Sequence, residues 1–368
     1  MTGSGPRAVV VGGGLIGLAC AWRLADEGWS VRVVDAGSGA REASWAAAGM
    51  LAPHNEVDVA AAGEPRLWRL GVASLARWPA FAEAIGVAID LSGNVVPELD
   101  DEDAQEISAR QAWLTGRGIT CQRIPADDLR RWEPALTPCR GALALPGGRV
   151  DPRRACAALA ARLGERVRYG APAVEISDRT VRLADGDALA ADLIVVAAGA
   201  WSPSLGRLCG LSFAGEPVKG QMLRFAGDPS LRRFVHCRHA YLVPRPGAGL
   251  IVGSTMVWDG FDRREDPAAI ARLAEGARRL LPALAGQEPV ETWTGLRPRL
   301  AGGLPCIDRV RPGLILATGH FRNGILLAPV TADMVADLAT DRPGALDRTP
   351  FRVPADTAFA PRGPGRTT

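Results

Sequence analysis

The chain has 368 residues and 47% hydrophobic content, ample for sizeable cores in about two domains or one large two-lobed unit. Its 43 basic and 40 acidic residues leave a net charge of +3 with no long basic run, and tyrosine occurs only twice, so nucleic-acid binding has no support. No signal-length leader precedes the first strand and no apolar run approaches the ~18 residues of a spanning helix, so a cytoplasmic location away from the membrane is the expectation.

In chain order, Val9-Val10-Val11 reads as a buried strand that runs into Gly12-Gly13-Gly14-Leu15-Ile16-Gly17 and then into a helix to about Glu27. Gly12, Gly14 and Gly17 occupy the G-x-G-x-x-G positions: the first allows a tight turn, the second a close approach of backbone to a pyrophosphate, the third close helix–strand packing. The helix N-terminus offers N–H groups to phosphates. A second strand, Val31 to Val34, ends at Asp35, 18 residues past Gly17, where a carboxylate can accept hydrogen bonds from an adenosine ribose. Asp35 does not choose between FAD and NAD, and it disfavours the 2′-phosphate of NADP. The run Ala43-Ser44-Trp45-Ala46-Ala47-Ala48-Gly49-Met50-Leu51 has almost no charge and small side chains. It reads equally as backbone laid against a flat ligand or as a packed Ala-rich helix start.

Residues 67–81 are predicted helical, with Trp68, Val72, Leu75 and Trp78 on a core face. From about 86 to 138 the chain changes character and reads as an insertion: short strands, an acidic stretch at 98–103, then a helix to Leu114. A helix follows Asp151-Pro152, then a strand over 167–174 and a hairpin turning at Asp185-Gly186. The strand Ala191 to Val196 and its small-residue turn Ala197-Ala198-Gly199-Ala200-Trp201 bring backbone close to a ligand a second time, which suits a cofactor as long as FAD. Residues 218–225, 241–243 and 250–254 read as an antiparallel sheet. A helix over 267–281, a strand over 314–319 and a final helix through Met334 and Leu338 complete the pattern, and the last 25 or so residues read as a loosely held tail. The seven cysteines are scattered and never spaced C-x-x-C, which suggests neither disulfides nor a metal site.

The N-terminal motif, the run 43–51, Val195 to Trp201, Thr294-Gly295-Leu296-Arg297-Pro298 and Gly319-His320-Phe321-Arg322-Asn323-Gly324-Ile325-Leu326 together resemble the D-amino-acid oxidase superfamily of flavoenzymes, most of all its glycine oxidases of the thiamine-thiazole pathway. The likeness runs from Val9 to about Asp337. It implies an α/β fold, α+β overall: a Rossmann-like FAD-binding domain made of 1–84, 141–215 and 301–368, and an antiparallel-sheet substrate domain made of 85–140 and 216–300. It implies noncovalent FAD, since Cys306 does not fall where related sarcosine oxidases attach flavin, and a homo-oligomer, often a tetramer. The implied cofactor set is Gly12, Gly14, Leu15, Ile16, Gly17, Asp35, Ala43, Ser44, Ala47, Ala48, Gly49, Met50, Val174, Ala198, Gly199, Trp201 and the segment His320, Phe321, Arg322, Asn323, Gly324, Ile325 and Leu326.

A substrate α-carboxylate calls for a guanidinium, which binds both oxygens in a fixed plane. Arg297 matches the family's carboxylate-binding arginine, with Arg322 at the flavin edge as second candidate, and Tyr241 is positioned to donate a hydrogen bond to the carboxylate. Met256 matches a pocket-wall position and His239 lines the entrance from the face of Tyr241. No general base is visible in these motifs. A helix after Asn323 would turn its positive end to the flavin, with Pro329 in its first turns. The implied activity is oxidation of glycine, sarcosine, D-alanine or similar small amines with O2 as acceptor, and a thiazole synthase as possible partner. An amino-acid dehydrogenase and a specialised amine oxidase of secondary metabolism are the alternatives.

Overall fold

The computed structural model describes residues 5–39, 41–56, 65–228, 230–238, 240–353 and 358–359. The strand Arg7–Val11 lies inside a six-stranded sheet, between Leu193–Val196 and Ser30–Val34, both parallel to it. Beyond them run Leu314–Thr318 on one side and Val167–Arg168 on the other, with Cys306–Arg311 as an antiparallel edge. Period-two alternation splits the first strand between two cores. Ala8 and Val10 face the helices Leu15–Asp26, Pro152–Leu163 and Ala328–Ala339, whereas Val9 and Val11 face a small sheet of Ala173–Ile176, Thr180–Leu183 and Ala188–Ala190. Burial on both faces explains why this strand reads as unbroken valine.

The second sheet has eight strands: Glu291–Leu300, Gly215–Phe225, Gly249–Gly253, Tyr241–Arg245, Phe234–His236, Asn94–Glu98, Gly141–Leu145 and Gln122–Pro125 in spatial order. All neighbours are antiparallel except Phe234–His236 against Asn94–Glu98. The segment read as an insertion thus supplies one end of this sheet, and Gly141–Leu145, at the boundary drawn from the resemblance, is hydrogen-bonded there too. Helix Pro267–Leu280, capped by the Asp266 carboxylate on the Ala268 N–H, packs its apolar stripe on the sheet.

Several local readings are corrected. Residues 67–81 form two helices, Arg66–Leu75 and Trp78–Ile85; the fully buried positions are Leu70, Gly71, Ser74, Trp78 and Phe81, while Trp68 and Leu75 are half-buried at the edges of cores. A serine is tolerated there because Ser74 Oγ and Trp78 Nε1 both donate to the carbonyl of Leu326, at 2.6 and 2.9 Å. The strand read over 167–174 breaks at Gly170 into Val167–Arg168 and Ala173–Ile176. After Phe321–Asn323, a single 3-10 turn, the last helix begins only at Ala328, with Pro329 inside its first turn, so no helix starts at Asn323. The tail is held in part: Phe351 is buried in the core and Val353 N–H donates to Asp308, while Ala358–Phe359 pairs with Leu211–Ser212.

Among the described residues, His54 and His320 are the histidines with almost no exposed surface. His54 accepts from Trp68 Nε1 at 3.1 Å, and burial, helped by the Arg110 charge, pulls its pKa down to about 4. His320 lies 3.0 Å from Thr331 Oγ1, and burial pulls its pKa down to about 3. The unfolded chain binds protons on these side chains below the free-histidine value of about 6.5 while the folded chain does not, so stability is full above that pH and declines as pH falls toward 4. Each should cost roughly 1 kcal/mol per pH unit in that window. The thermal midpoint should therefore drop clearly between pH 7.5 and pH 5, and an unchanged midpoint would contradict the buried neutral imidazoles.

Candidate active site

A cavity of about 520 Å³ lies between the two sheets, reaching from Asp35 and Gly37 to Arg297 and Arg322. Its nucleotide end is built from backbone. Gly12 takes φ +119°, and a Cβ there would stand 2.3 Å from the Ala197 carbonyl oxygen; at Gly17 it would stand 1.9 Å from the Gly12 oxygen. The first glycine therefore allows the turn against the neighbouring strand, and the last lets the helix close on the turn. The helix Leu15–Asp26 has no side-chain cap of its own and no acid in its first turn. Ser44 Oγ accepts from the Leu15 N–H at 2.9 Å. Asp35 accepts from the Gly13 and Gly37 N–H groups at 2.6 and 2.7 Å, so it braces the glycine turn while facing the cavity.

In the run Ala43 to Leu51 a one-turn helix over Ala43–Ala46 leads into backbone that lines the cavity, turns at Gly49 with φ +90° and continues as the short strand Met50–Leu51. The second sheet grips it. Trp293 Nε1 donates to the Ala46 carbonyl at 3.0 Å, and a Cβ at Gly295 would stand 2.5 Å from that of Ala46. Ala198, Gly199 and Trp201 form a third backbone approach. A glycine turn too tight for a Cβ at Gly12 and Gly17, bare backbone at Gly14, a helix start with no acid in its first turn and an acid at the end of the second strand are the features of a dinucleotide site, and the residues present suit FAD.

The other end carries side chains. Arg297 lies in the cavity wall; its Nη1 donates to the Thr255 carbonyl at 3.1 Å and its Nη2 to Ser254 Oγ at 2.6 Å. Burial lowers its pKa, opposed by the Tyr241 hydroxyl beside it. Among the described residues no carboxylate stands within ion-pair distance of Arg297. Tyr241, opposite His236 on the neighbouring strand, directs its hydroxyl to Met222 Sδ at 3.0 Å. Arg322 also lines the cavity and pairs with Glu56 at 3.1 Å. His320 fixes the turn to the last helix through Thr331. Phe321, Gly324 and Ile325 complete this wall.

Most residues singled out from sequence meet here, with exceptions. Leu15 and Gly17 sit in the core beneath the glycine turn, and Leu326 is buried off the cavity, where its carbonyl ties down two helix ends. Asn323 is buried behind the wall, its carbonyl accepting from Leu327 N–H. Val174 is 47% exposed and points away, because its neighbour Ala173 faces the cavity and adjacent strand residues face opposite ways. Met256 is 45% exposed and outside the wall: Val257 pairs with Lys219 through both backbone groups and carries the chain outward, leaving Met222 to stand beside Tyr241. His239 lies outside the described residues. Sequence reading missed Glu56, Gly220, Met222 and Ser254, which belong to no motif; alternation from Gly220 to Met222 along one strand was the available signal. Cys306 is buried off the cavity, and burial pushes its thiol pKa up.

A family model for FAD dependent oxidoreductases matches residues 7–338. The glycine oxidase of Geobacillus kaustophilus (strain HTA426) is 34% identical over 362 residues, covering 93% of this chain and 95% of that protein. A crystal structure of glycine oxidase from Geobacillus kaustophilus matches with a TM-score of 0.87 at 32% identity, covering 95% of this chain and 99% of that one. The bifunctional protein ThiO/ThiG of Nostoc sp. (strain PCC 7120) is 31% identical over 352 residues, which span 91% of this chain and 52% of that protein. Since the family match runs from the first strand through the last helix and so takes in both walls of the cavity, the chain belongs to the FAD dependent oxidoreductases.

Proposed function

We propose that this chain oxidises glycine, and small amines or amino acids such as sarcosine and D-alanine, with noncovalent FAD: glycine, O2 and water give glyoxylate, ammonia and hydrogen peroxide. The observation that carries the reading is Arg297, a guanidinium in the cavity wall held only by neutral partners among the described residues. A largely desolvated cation with no carboxylate in contact is costly, and a carboxylate arriving in its plane offsets that cost with charge-assisted hydrogen bonds.

Bound in this cavity, FAD would supply the hydride acceptor for the substrate α-carbon and the route by which the electrons reach O2. The protein's part is orientation. Arg297 holds the carboxylate; the Tyr241 hydroxyl, weakly engaged by a thioether, is free to turn to the same oxygens; and Arg322, neutralised by Glu56, bounds the cavity. The wall Ala46 to Met50 and Ile325 keeps water from the reacting carbon. The G-x-G-x-x-G turn, Asp35 and Ser44 hold the cofactor's nucleotide half. The fused ThiO/ThiG relatives support a thiazole synthase as consumer of the imine or glyoxylate. The homo-oligomer and the division into 1–84, 141–215 and 301–368 against 85–140 and 216–300 remain part of the same reading.

Anaerobic addition of glycine to the FAD-loaded protein should bleach its yellow colour, and air should restore it with formation of peroxide; a spectrum unmoved by glycine, sarcosine and D-alanine rejects the assignment. Arg297→Ala should raise the glycine KM about 10²-fold or more, the cost of losing one side of a buried charge pair, with FAD content unchanged. Unaltered turnover in that variant would remove Arg297 from the reaction. Asp35→Asn should weaken FAD binding roughly tenfold in a fluorescence titration, because an amide can no longer accept from both loop N–H groups and a ribose hydroxyl; an unchanged Kd would make Asp35 merely a brace.

A further inference from the structure

Gly220 stands in the middle of the eleven-residue strand Gly215–Phe225, where glycine contributes no side chain to the pleated surface and weakens the strand. Its backbone is not left-handed, so conformation does not demand a glycine. Space does. A Cβ at this position would lie 2.2, 2.3 and 2.4 Å from Nη2, Nη1 and Cζ of Arg297, so the guanidinium lies against bare backbone. The register explains how it gets there. Arg297 is paired with Val218 and Gly220 with Gly295, so the arginine side chain crosses diagonally to a position two residues along the adjacent strand. There Thr255 and Ser254, beyond the end of the strand Gly249–Gly253, take one hydrogen bond from each terminal nitrogen. Gly220, Ser254 and Arg297 all line the cavity.

We propose that Gly220 is a positioning residue for substrate binding: its missing β-carbon is the seat on which the Arg297 guanidinium rests, and this seat sets where the substrate carboxylate is held. The proposal rests on the reading of Arg297 as the carboxylate-binding group. The atoms a methyl group would strike are the far end of a flexible side chain rather than backbone. Gly220→Ala should therefore leave the strand ladder and the cofactor in place while moving the guanidinium off its seat.

The experiment compares wild type, Gly220→Ala, Arg297→Lys and the double variant as FAD-loaded proteins. Acetate binding, followed through the flavin absorption spectrum, and steady-state glycine oxidation are measured for each. Gly220→Ala should keep its FAD content and thermal midpoint, weaken acetate binding and raise the glycine KM about tenfold or more, and change kcat less. In the Arg297→Lys background, which has no planar fork to seat, the same substitution should change KM less than about twofold. Ser254→Ala, which removes one anchor without adding volume, should also weaken acetate binding.

Equal penalties in the two backgrounds, loss of FAD from Gly220→Ala, or acetate binding untouched in both Gly220→Ala and Ser254→Ala would each overturn the seat. A wild-type protein that responds to neither acetate nor glycine would overturn the functional reading and this proposal with it. A responsive wild type matched by Gly220→Ala overturns the seat alone.

Discussion

A positive charge turned into the cavity and touched, among the described residues, only by neutral hydrogen-bond acceptors is the constraint on which the substrate end of this molecule depends. Arginine does not escape burial by giving up its proton at physiological pH, so the guanidinium of Arg297 stays charged and the fold must tolerate it. The Thr255 carbonyl and Ser254 hydroxyl satisfy two of its five donors. They hold its plane and leave the remaining capacity for an anion. Arg322, also in the cavity wall, is already matched by Glu56, so the two arginines are electrostatically unequal although both line the same space.

The two sheets divide the work by chemistry. On the side of the parallel sheet the cavity meets backbone at three places, the glycine turn, the run Ala43 to Met50 beside that sheet and the turn after Val196, because a flat dinucleotide needs close approach and N–H donors more than side chains. The antiparallel sheet contributes side chains instead, since its strands present alternate residues to the cavity at fixed spacing. Strand Gly215–Phe225 shows both uses of that alternation. Gly220 and Met222 line the cavity, whereas Lys219 is buried behind them against Asp259 and Asp262, and Gln221 Oε1 accepts from Asp266 N–H. These contacts fix the loop from Thr255 to Asp266 on the outer side.

That loop also joins the lobes. Arg263 pairs with Glu42, which precedes the small-residue helix, and Phe261 packs on Trp201 with ring centroids 5.4 Å apart. Together with the Trp293 hydrogen bond to Ala46, they make the cavity wall continuous from one sheet to the other. The apolar side chains of this loop, Met256, Trp258 and Phe261 among them, remain substantially exposed. Met256 therefore serves the outside of the loop, and Met222 takes the inner place beside Tyr241.

What the sequence determined by itself is local chemistry. The valine run, the three glycines, Asp35 at the end of the second strand and the small-residue turns each follow from steric rules that act within a few residues, and each is found where those rules put it. The chemical type of Arg297 and Tyr241 was legible for the same reason. Only the tertiary structure decided which side chains meet. Strand register places the Arg297 guanidinium over Gly220, far away in the chain, and neither residue announces the other. Glu56 pairs with Arg322 across a still longer separation. Met256, Val174 and the start of the last helix departed from the reading because a backbone pairing, a strand's alternation and a 3-10 turn settled them, and those follow from partners that a linear reading does not contain.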